Sequence, residues 1–288
     1  MILIVDSGAT KADWTALNSK GEKIFFTQTL GLNPEVLTEE ILVERITTNY
    51  QLFENRNSVS EIYFYGAGCG TERIRYFVER SLATIFKNAK IEVKEDTYAA
   101  VFATTAPSDK AIVCILGTGA NCSYWNGKEL YQAVDSLGYI LMDESSGNFY
   151  GKRLIIDYYF KKMPSDLVQK FENQYELGSD VIKNHLYKMP NPNSYLATFA
   201  KFVVENKNHE YCRDMVRKGM QLFVDHWISQ YEDRYEVPIN FVGSIAFCFR
   251  VELQTVAVDL GYRIGRILKS PIAGLEKFYA ESKDINLT

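Results

Sequence analysis

The sequence predicts an α/β protein built from two related domains. Its 288 residues are enough for two domains of ordinary size. Short apolar and β-branched runs alternate with amphipathic helical segments, which is typical of sheets covered by helices. The stretches VDSGATKADW and ILGTGANCSYW, about 110 residues apart, share one plan: a strand, a small-residue turn with Gly and Thr, and a strand ending in Trp. This internal duplication indicates two related domains rather than a short-period repeat array.

The first domain is predicted to span residues 1–106. Strands are expected over residues 2–6, 14–17, 24–29, 62–65 and 91–94, and helices over residues 35–50, 72–87 and 98–105. The turn chemistry of residues 18–21 predicts that the second and third strands form a meander. Pro34 lies just before the first helix, which favours a helix start there.

The second domain is predicted to span residues 107–288. It repeats the opening plan, with strands over residues 111–116 and 122–126 around a glycine turn. A largely helical insertion covers residues 147–232, and a strand follows over residues 239–242. Two helix-like segments and a short strand complete the chain, and the last helix, residues 271–281, is able to pack back on the first domain.

Composition limits the classes of partner and site. Apolar residues make up 47% of the chain and charged residues 24%, so a sizeable core is expected. The net charge of −4 argues against broad nucleic-acid binding. No apolar stretch approaches the roughly 18 residues of a membrane span, and no signal-peptide pattern opens the chain. Five scattered cysteines and three histidines show no zinc-ligand spacing, and reduced thiols in the cytoplasm are expected.

The turn after Asp6 has two interpretations when taken alone: a simple hairpin bend or a phosphate site. A second glycine turn at the start of the second domain favours phosphate binding. Small residues let backbone N–H groups approach an anion closely, and threonine hydroxyls add donors. The candidate phosphate contacts in these turns are Gly8, Thr10, Lys11, Gly117, Thr118 and Gly119. Neither turn has the spacing of a P-loop or a dinucleotide fingerprint.

Two charged residues flank the first turn. Asp6 ends the first strand, where its carboxylate is placed to hold Mg²⁺ through water, because magnesium keeps most of its hydration shell. Lys11 is either a solvated surface lysine or a contact to a phosphate oxygen.

These motifs resemble the actin–hexokinase–Hsp70 superfamily. Residues 6–11 and 117–122 resemble its two phosphate motifs, and Gly243-Ser244-Ile245-Ala246 resembles its adenosine motif. The resemblance is strongest to the BadF/BadG/BcrA/BcrD-type ATPases and N-acetylglucosamine kinases. Three further stretches carry it: Gly31-Leu32-Asn33, the EDTYAA stretch of residues 95–100, and the LGYILMDESSG stretch of residues 137–147. Met142, Ser145 and Val242 depart from the family's usual glycines.

The resemblance implies two ribonuclease-H-like domains in an actin-like ATPase fold, arranged around a nucleotide cleft, with ATP and Mg²⁺ as ligands. It implies that Asp96 is the catalytic base and that Gly243 and Ser244 join the ATP site. It assigns sugar contacts to Asn33, Asn121, Gly138, Asp143 and Glu144.

Each assignment has a structural alternative. Asp96 is also suited to cap a helix, since Asp is favoured at that position. Asp143 and Glu144 can instead be part of a charged surface loop. Asn33 and Asn121 can be turn residues without a ligand.

The resemblance implies that the protein is an ATP-dependent kinase that phosphorylates an amino sugar. The substrate that it favours is N-acetylglucosamine, and the product would be the 6-phosphate. The resemblance also implies a homodimer. The alternative is a non-kinase ATPase that activates a partner enzyme. Some relatives of that kind hold an iron–sulfur cluster through loop cysteines, for which Cys69 is the one candidate here.

Overall fold

The computed structural model describes residues 1–8, 10–106 and 108–285, and it divides the chain into two compact units. Unit 1 comprises Met1–Ala106 and Ser270–Thr288, and unit 2 comprises Pro107–Lys269. In the described part of the chain, no helix is both long enough and apolar enough to cross a membrane.

Unit 1 is built on a five-stranded mixed sheet. Its strands are β1 (Ile2–Ser7), β2 (Lys11–Leu17), β3 (Lys23–Leu30), β4 (Glu61–Gly66) and β5 (Lys90–Glu95). The order in space is β3-β2-β1-β4-β5. The first three strands form an antiparallel meander, and β1, β4 and β5 run parallel. The β2–β3 turn is fixed by Asn18, whose Oδ1 accepts the N–H groups of Lys20 and Glu22.

Helices cover both faces of this sheet. They are α1 (Glu39–Thr47), α2 (Tyr50–Asn55), α3 (Glu72–Ile85), α4 (Asp96–Thr104) and α13 (Ile272–Ile285). The inward residues of β1 and β2, such as Val5 and Trp14, share one core cluster with the buried faces of α1 to α3. The helix expected from residue 35 begins instead at Glu39, because Thr38 caps it by accepting the N–H of Ile41.

The helices α4 and α13 pack against each other. Phe102 and Phe278 stack with ring centroids 4.7 Å apart. Tyr279 stacks on Tyr63 of β4 at 4.2 Å and its hydroxyl contacts that of Tyr65. The C-terminal helix therefore forms part of the packing of unit 1, although about 170 residues separate it from α4 in the sequence.

Unit 2 repeats the sheet plan of unit 1. Its strands are β6 (Ala111–Leu116), β7 (Ala120–Trp125), β8 (Leu130–Tyr131), β9 (Ile239–Val242) and β10 (Ile264–Leu268), in the order β10-β9-β6-β7-β8. The strands β6, β7 and β8 are antiparallel, whereas β6, β9 and β10 are parallel. The expectation of two ribonuclease-H-like domains is confirmed by this duplicated topology.

The helical insertion supplies most of the core of unit 2. The insertion contains α5 (Gly147–Tyr159), α6 (Ser165–Gln174), α7 (Ser179–Tyr187), α8 (Pro192–Thr198), α9 (Ala200–Glu205) and α10 (Glu210–His226), and after β9 the unit adds α11 (Ser244–Cys248) and α12 (Arg250–Asp259). Their buried aromatic residues pack on the sheet in one cluster.

The contact between α4 and α13 gives a stability prediction. A Cβ added at Gly274 would lie 2.6 Å from the backbone oxygen of Ala103, so Gly274→Ala forces the two helices apart. Overpacking of this kind costs about 1–3 kcal/mol and outweighs the roughly 1 kcal/mol that Ala gains in a helix. We expect a lower denaturation midpoint. Gly178→Ala is the control, because its Cβ would meet only Val181 at 3.8 Å. A Gly274→Ala variant as stable as the parent would contradict this packing.

Candidate active site

The first glycine turn is a tight hairpin between β1 and β2. The N–H of Gly8 donates to the carbonyl of Lys11 at 3.0 Å. A Cβ added at Gly8 would have its nearest neighbour at 3.7 Å, an ordinary contact, so packing within the protein does not require glycine there. The side chain of Thr10 is exposed, and Ala9 lies outside the described residues. The turn therefore presents open backbone, as a phosphate site requires.

Lys11 is paired with a buried acid. Its Nζ lies 2.7 and 3.0 Å from the two carboxylate oxygens of Asp13, which is only 3% exposed. Gln28 donates to the same carboxylate at 2.6 Å. Sequence analysis missed Asp13, although a carboxylate within the apolar run of β2 was a signal. Lys11 as a phosphate contact stays a prediction, and its ammonium is held in place by Asp13.

Asp6 lies directly across the hairpin from Asp13 in the strand register. Its half-buried carboxylate has no hydrogen bond or ion pair among the described residues. Desolvation, followed by the nearby carboxylates of Asp96 and Asp13, raises the pKa of Asp6 to about 7, and Lys11 opposes the shift. A carboxylate with no internal partner fits the predicted role of binding hydrated Mg²⁺.

Asp96 is the first residue of α4 and follows the end of β5. The preceding residue, Glu95, occupies the N-cap position without a side-chain capping bond, so Asp96 is not the N-cap. Desolvation and the Glu95 carboxylate raise the pKa of Asp96 to about 7, while backbone N–H groups at the helix start oppose the shift. This value suits a general base, because the pKa of an efficient general base lies near the operating pH.

The carboxyl ends of the parallel strands bring these residues to one edge of unit 1. Ser7 pairs with Gly66, and Gly66 pairs with Glu95, across β1, β4 and β5. Ligand sites of open α/β sheets lie at this edge. Asp6 and Asp96 therefore stand at the edge where chemistry is expected.

The loop of residues 31–33 is tied to the first glycine turn. Ser7 Oγ accepts the N–H of Leu32 at 3.0 Å, and the N–H of Gly31 donates to Thr10 at 2.9 Å. The Oδ1 of Asn33 accepts the N–H of Glu35 at 3.0 Å, which is the turn role that its position before Pro34 suggested. Its amide nitrogen remains to donate, so the predicted sugar contact and the turn role are compatible.

The loop after β4, residues 66–70, also lies beside these groups. Gly68 has φ +86°, and a Cβ there would lie 2.5 Å from Asn33 Oδ1. Arg75 holds the loop by donating to the carbonyls of Cys69 and Gly70. Sequence analysis considered only Cys69 in this loop. That thiol is fully buried, and desolvation raises its pKa to about 12, which disfavours a role as a cluster ligand.

The second glycine turn joins β6 to β7. Nothing lies within 4 Å of a Cβ added at Gly117, so this glycine too is not required by internal packing. A Cβ at Gly119, in contrast, would lie 2.9 Å from Asp143 Oδ2. The carbonyls of Gly117 and Thr118 accept the first N–H groups of α5, at 2.8 and 3.0 Å. The turn is therefore hydrogen-bonded to the N-terminus of that helix.

The two predicted sugar carboxylates of unit 2 are engaged within the protein. Asp143 is 6% exposed, and its Oδ1 accepts the N–H of Ala120 at 3.0 Å. Glu144 accepts from Trp227 Nε1 at 2.9 Å and lies 3.0 Å from His226 Nδ1. Desolvation would raise the pKa of Glu144, but these hydrogen bonds outweigh it and hold the value below the ordinary range. Both residues contribute to the architecture of the loop, and their sugar contacts stay predictions.

The remaining sugar-loop residues have local roles. Gly138 has φ +79° and starts a turn in which its carbonyl accepts the N–H of Met142 at 2.9 Å. Ser145, at the family's glycine position, has φ +61°, and its hydroxyl lies 2.9 Å from that of Tyr150. The serine is thus accommodated in a left-handed conformation by a buried hydrogen bond. Asn121 lies on β7, where its Oδ1 accepts from Ser123 at 3.1 Å.

Gly243 is required by the fold itself. It has φ +129°, and a Cβ there would lie 2.2 Å from the carbonyl oxygen of Leu116. Because β6 and β9 are parallel and paired, this close approach brings Gly243 beside Gly117 at the carboxyl edge of unit 2. Ser244 follows and is exposed. The adenosine and second phosphate motifs thus meet at one edge.

The described residues hold no group of three or more His, Cys, Asp or Glu side chains that could bind a metal ion without further ligands. A cation bound by Asp6 would therefore depend on water or ligand oxygens for the rest of its shell, as Mg²⁺ in phosphate sites does.

Comparison with solved structures gives matches that extend over nearly the whole chain. A Porphyromonas gingivalis protein provisionally named N-acetylglucosamine kinase is 32% identical, with a TM-score of 0.90, and the match covers 98% of this chain and 99% of that one. A Chromobacterium violaceum protein with the same provisional name is 13% identical, with a TM-score of 0.71, over 96% and 98% of the two chains.

A ROK family glucokinase from Streptomyces griseus, solved with glucose and AMPPNP, is 11% identical with a TM-score of 0.61, over 97% of this chain and 98% of that one. At their level of identity, this glucokinase and the Chromobacterium protein show a shared fold only. No family model matches the chain, and no curated protein matches it. The Porphyromonas relative, which matches across both units, shows that the chain belongs to the BadF/BadG/BcrA/BcrD-type ATPase and N-acetylglucosamine kinase family.

Proposed function

We propose that this protein is an ATP-dependent kinase that phosphorylates the 6-hydroxyl of an amino sugar. The proposed substrate is N-acetylglucosamine. The observation that carries the proposal is the pair of half-buried carboxylates, Asp6 and Asp96, at the carboxyl edge of unit 1. Neither has an ion-pair partner among the described residues, and both have a pKa near 7. Such groups are candidates for chemistry rather than for structure. The provisional name of the Porphyromonas relative supports the choice of substrate.

Asp96 is assigned the role of general base. Its ionised carboxylate accepts the proton of the sugar hydroxyl as that oxygen bonds to the γ-phosphorus, and the bond from the γ-phosphorus to the bridging oxygen of ADP breaks. Asn33 is assigned a hydrogen bond to the sugar through its amide nitrogen, since its Oδ1 is occupied by Glu35. Asn121, Gly138, Asp143 and Glu144 complete the proposed sugar contacts.

The nucleotide is assigned to the glycine turns. Gly8, Thr10 and Lys11 in unit 1 and Gly117, Thr118 and Gly119 in unit 2 would contact phosphates, and Gly243 and Ser244 the adenosine. Asp6 would hold Mg²⁺ through water, because its carboxylate has no competing partner. The metal would neutralise charge on the transferred phosphoryl group.

The setting that fits this reaction is the cytoplasm, where ATP is available. All five cysteines are free thiols. A homodimer without nucleic-acid partners is proposed from the family resemblance, and light scattering would test it.

The direct test is a coupled assay of ADP release with a panel of sugars: N-acetylglucosamine, glucosamine, N-acetylmannosamine, glucose and a cell-wall amino-sugar fragment. We expect N-acetylglucosamine to stimulate ADP release most strongly, with a 6-phosphate product by mass spectrometry and NMR. ATP hydrolysis that no sugar stimulates would exclude the kinase and favour the non-kinase ATPase.

Asp96→Asn is expected to reduce kcat by about two orders of magnitude or more, the usual scale for a lost general base. ATP affinity by calorimetry should stay close to that of the parent. Glu95→Gln is the matched control, since it removes the adjacent carboxylate by the same chemical change and should remain active.

The pH dependence provides a second readout for the base. Asp96 must be ionised to accept a proton, so the rate of the parent should fall as the pH drops below about 7. Removing the Glu95 charge lowers the pKa of Asp96 and should move this acid limb to lower pH. An Asp96→Asn variant with near-normal kcat would reduce Asp96 to a structural role.

Gly8→Ala and Gly117→Ala are expected to weaken ATP binding by about tenfold, or about 1.4 kcal/mol, without loss of stability. The reason is that each added methyl has room within the protein but would crowd an approaching phosphate. Gly119 is unsuitable, because a Cβ there would displace Asp143. Gly178→Ala serves as the control. Unchanged ATP affinity in both turn variants would rule out the turns as phosphate sites.

A further inference from the structure

Asn148, the second residue of α5, joins the second glycine turn to the loop that precedes the helix. The side chain is fully buried. Its Nδ2 donates to the carbonyl of Thr118 at 2.8 Å and to Asp143 Oδ2 at 2.7 Å. Its backbone N–H also donates to Thr118, at 3.0 Å. Asp143 Oδ1 also accepts the N–H of Ala120. Asn148 and Asp143 together therefore hold the turn at Thr118 and at Ala120.

The chemistry of the contacts fixes the orientation of the amide. Nδ2 faces two acceptors, a carbonyl and a carboxylate, and a flipped amide would place its own oxygen against both. The observed orientation leaves Asn148 Oδ1 buried and without a hydrogen-bond partner among the described residues. A buried carbonyl oxygen without a partner is unfavourable. The two bonds of Nδ2, one of them to a charged group, evidently outweigh that cost.

We propose that Asn148 is a positioning residue for the phosphoryl transfer, acting through Thr118 and Asp143 to hold the second glycine turn in its binding shape. The inference rests on the proposed function and deepens it. Through these hydrogen bonds, the loop that is assigned to the sugar and the turn that is assigned to the nucleotide form one connected element of unit 2. We call this element, consisting of Thr118, Ala120, Asp143 and Asn148, the clamp.

A turn of this composition needs such a support. No side-chain packing holds Gly117, since a Cβ there would meet nothing within 4 Å, so its position depends on backbone hydrogen bonds to Gly119 and Gly147. Backbone N–H groups bind a phosphate well only if their directions are fixed before the ligand arrives. The clamp fixes them through the carbonyl of Thr118 and the N–H of Ala120. An error of about 1 Å at such a site can cost about a hundredfold in rate.

Asn148→Asp is the sharpest test, because it replaces the donor by a carboxylate of the same shape facing Asp143. The other charged groups near Asp143 are Glu144, which adds to the repulsion, and Lys152, which opposes it. Two carboxylates in contact cannot both stay ionised cheaply, so one takes up a proton as the pH falls. Its O–H can then donate across the clamp and restore one of the two lost bonds.

We expect kcat/KM of Asn148→Asp to be about tenfold to a hundredfold below the parent at pH 8. The ratio of variant to parent should rise as the pH is lowered to 6. Loss of ionised Asp96 affects both proteins and cancels in this ratio. Asn240→Asp is the control, since Asn240 is buried in the same unit and its Oδ1 accepts the N–H of Arg266. The ratio of kcat/KM of Asn240→Asp to that of the parent should not rise as the pH is lowered from 8 to 6.

Amide hydrogen exchange of the ligand-free protein tests the clamp independently of activity. The N–H of Ala120 should exchange faster in Asn148→Asp and in Asn148→Ala than in the parent, and should be unaffected in Asn240→Asp. If Asn148→Asp does not fold, Asn148→Ala tests the clamp instead. We then expect faster exchange of the Ala120 N–H and a kcat/KM about tenfold below that of the parent.

Unchanged exchange in the turn would overturn the clamp. Faster exchange with normal kcat/KM at every pH would overturn its positioning role and leave it purely structural. Failure of the parent to phosphorylate any sugar would instead refute the proposed function, and the exchange measurement would still decide the clamp.

Discussion

The central strand of each sheet, β1 in unit 1 and β6 in unit 2, determines at which edge of the sheet the glycine turn lies. Each central strand pairs antiparallel with the strand that follows it and parallel with a strand on its other side. The glycine turn must therefore leave the sheet at the edge where the parallel strands also end. In unit 1 this edge receives Gly66 and Glu95, and in unit 2 it receives Gly243. The duplication of one strand arrangement thus explains why the glycine turn occurs twice.

The acidic residues in and beside the candidate site divide into two physical classes. Asp13, Asp143 and Glu144 accept hydrogen bonds from named partners within the protein, so their charge is used in holding strands and loops. Asp6 and Asp96 have no ion-pair partner among the described residues, and their pKa values rise because desolvation and neighbouring carboxylates outweigh the groups that oppose the shift. Burying such groups without a partner is costly, and the cost is reasonable only where a ligand or a reaction uses them.

Sequence reasoning succeeded where the signal was local. The strand–turn–strand pattern predicted β1, β2, β6 and β7, because alternation and turn chemistry act within a few residues. It failed where partners are distant in sequence. The contact of Glu144 with His226 and Trp227 spans more than 80 residues, and no local pattern encodes it. The first helix was placed too early because Pro34 was favoured over the cap at Thr38, which the structure selects.

Asn148 illustrates the same limit within the candidate site. In the sequence it is one polar residue at the start of a helix, where asparagine is commonplace and carries no signal. Its importance comes from two acceptors, Thr118 and Asp143, which lie 30 and 5 residues away and reach it only when β6, β7 and α5 are assembled. The family motif identified Asp143 as a residue that matters, and the structure shows that its carboxylate is bound to the backbone of the turn. A mutation of Asp143 would therefore disturb the turn as well as any contact with the sugar, so its effect on activity alone cannot assign it to the substrate. Hydrogen exchange at the Ala120 N–H of the ligand-free protein separates the two roles, because it reports on the support of the turn when no sugar is present.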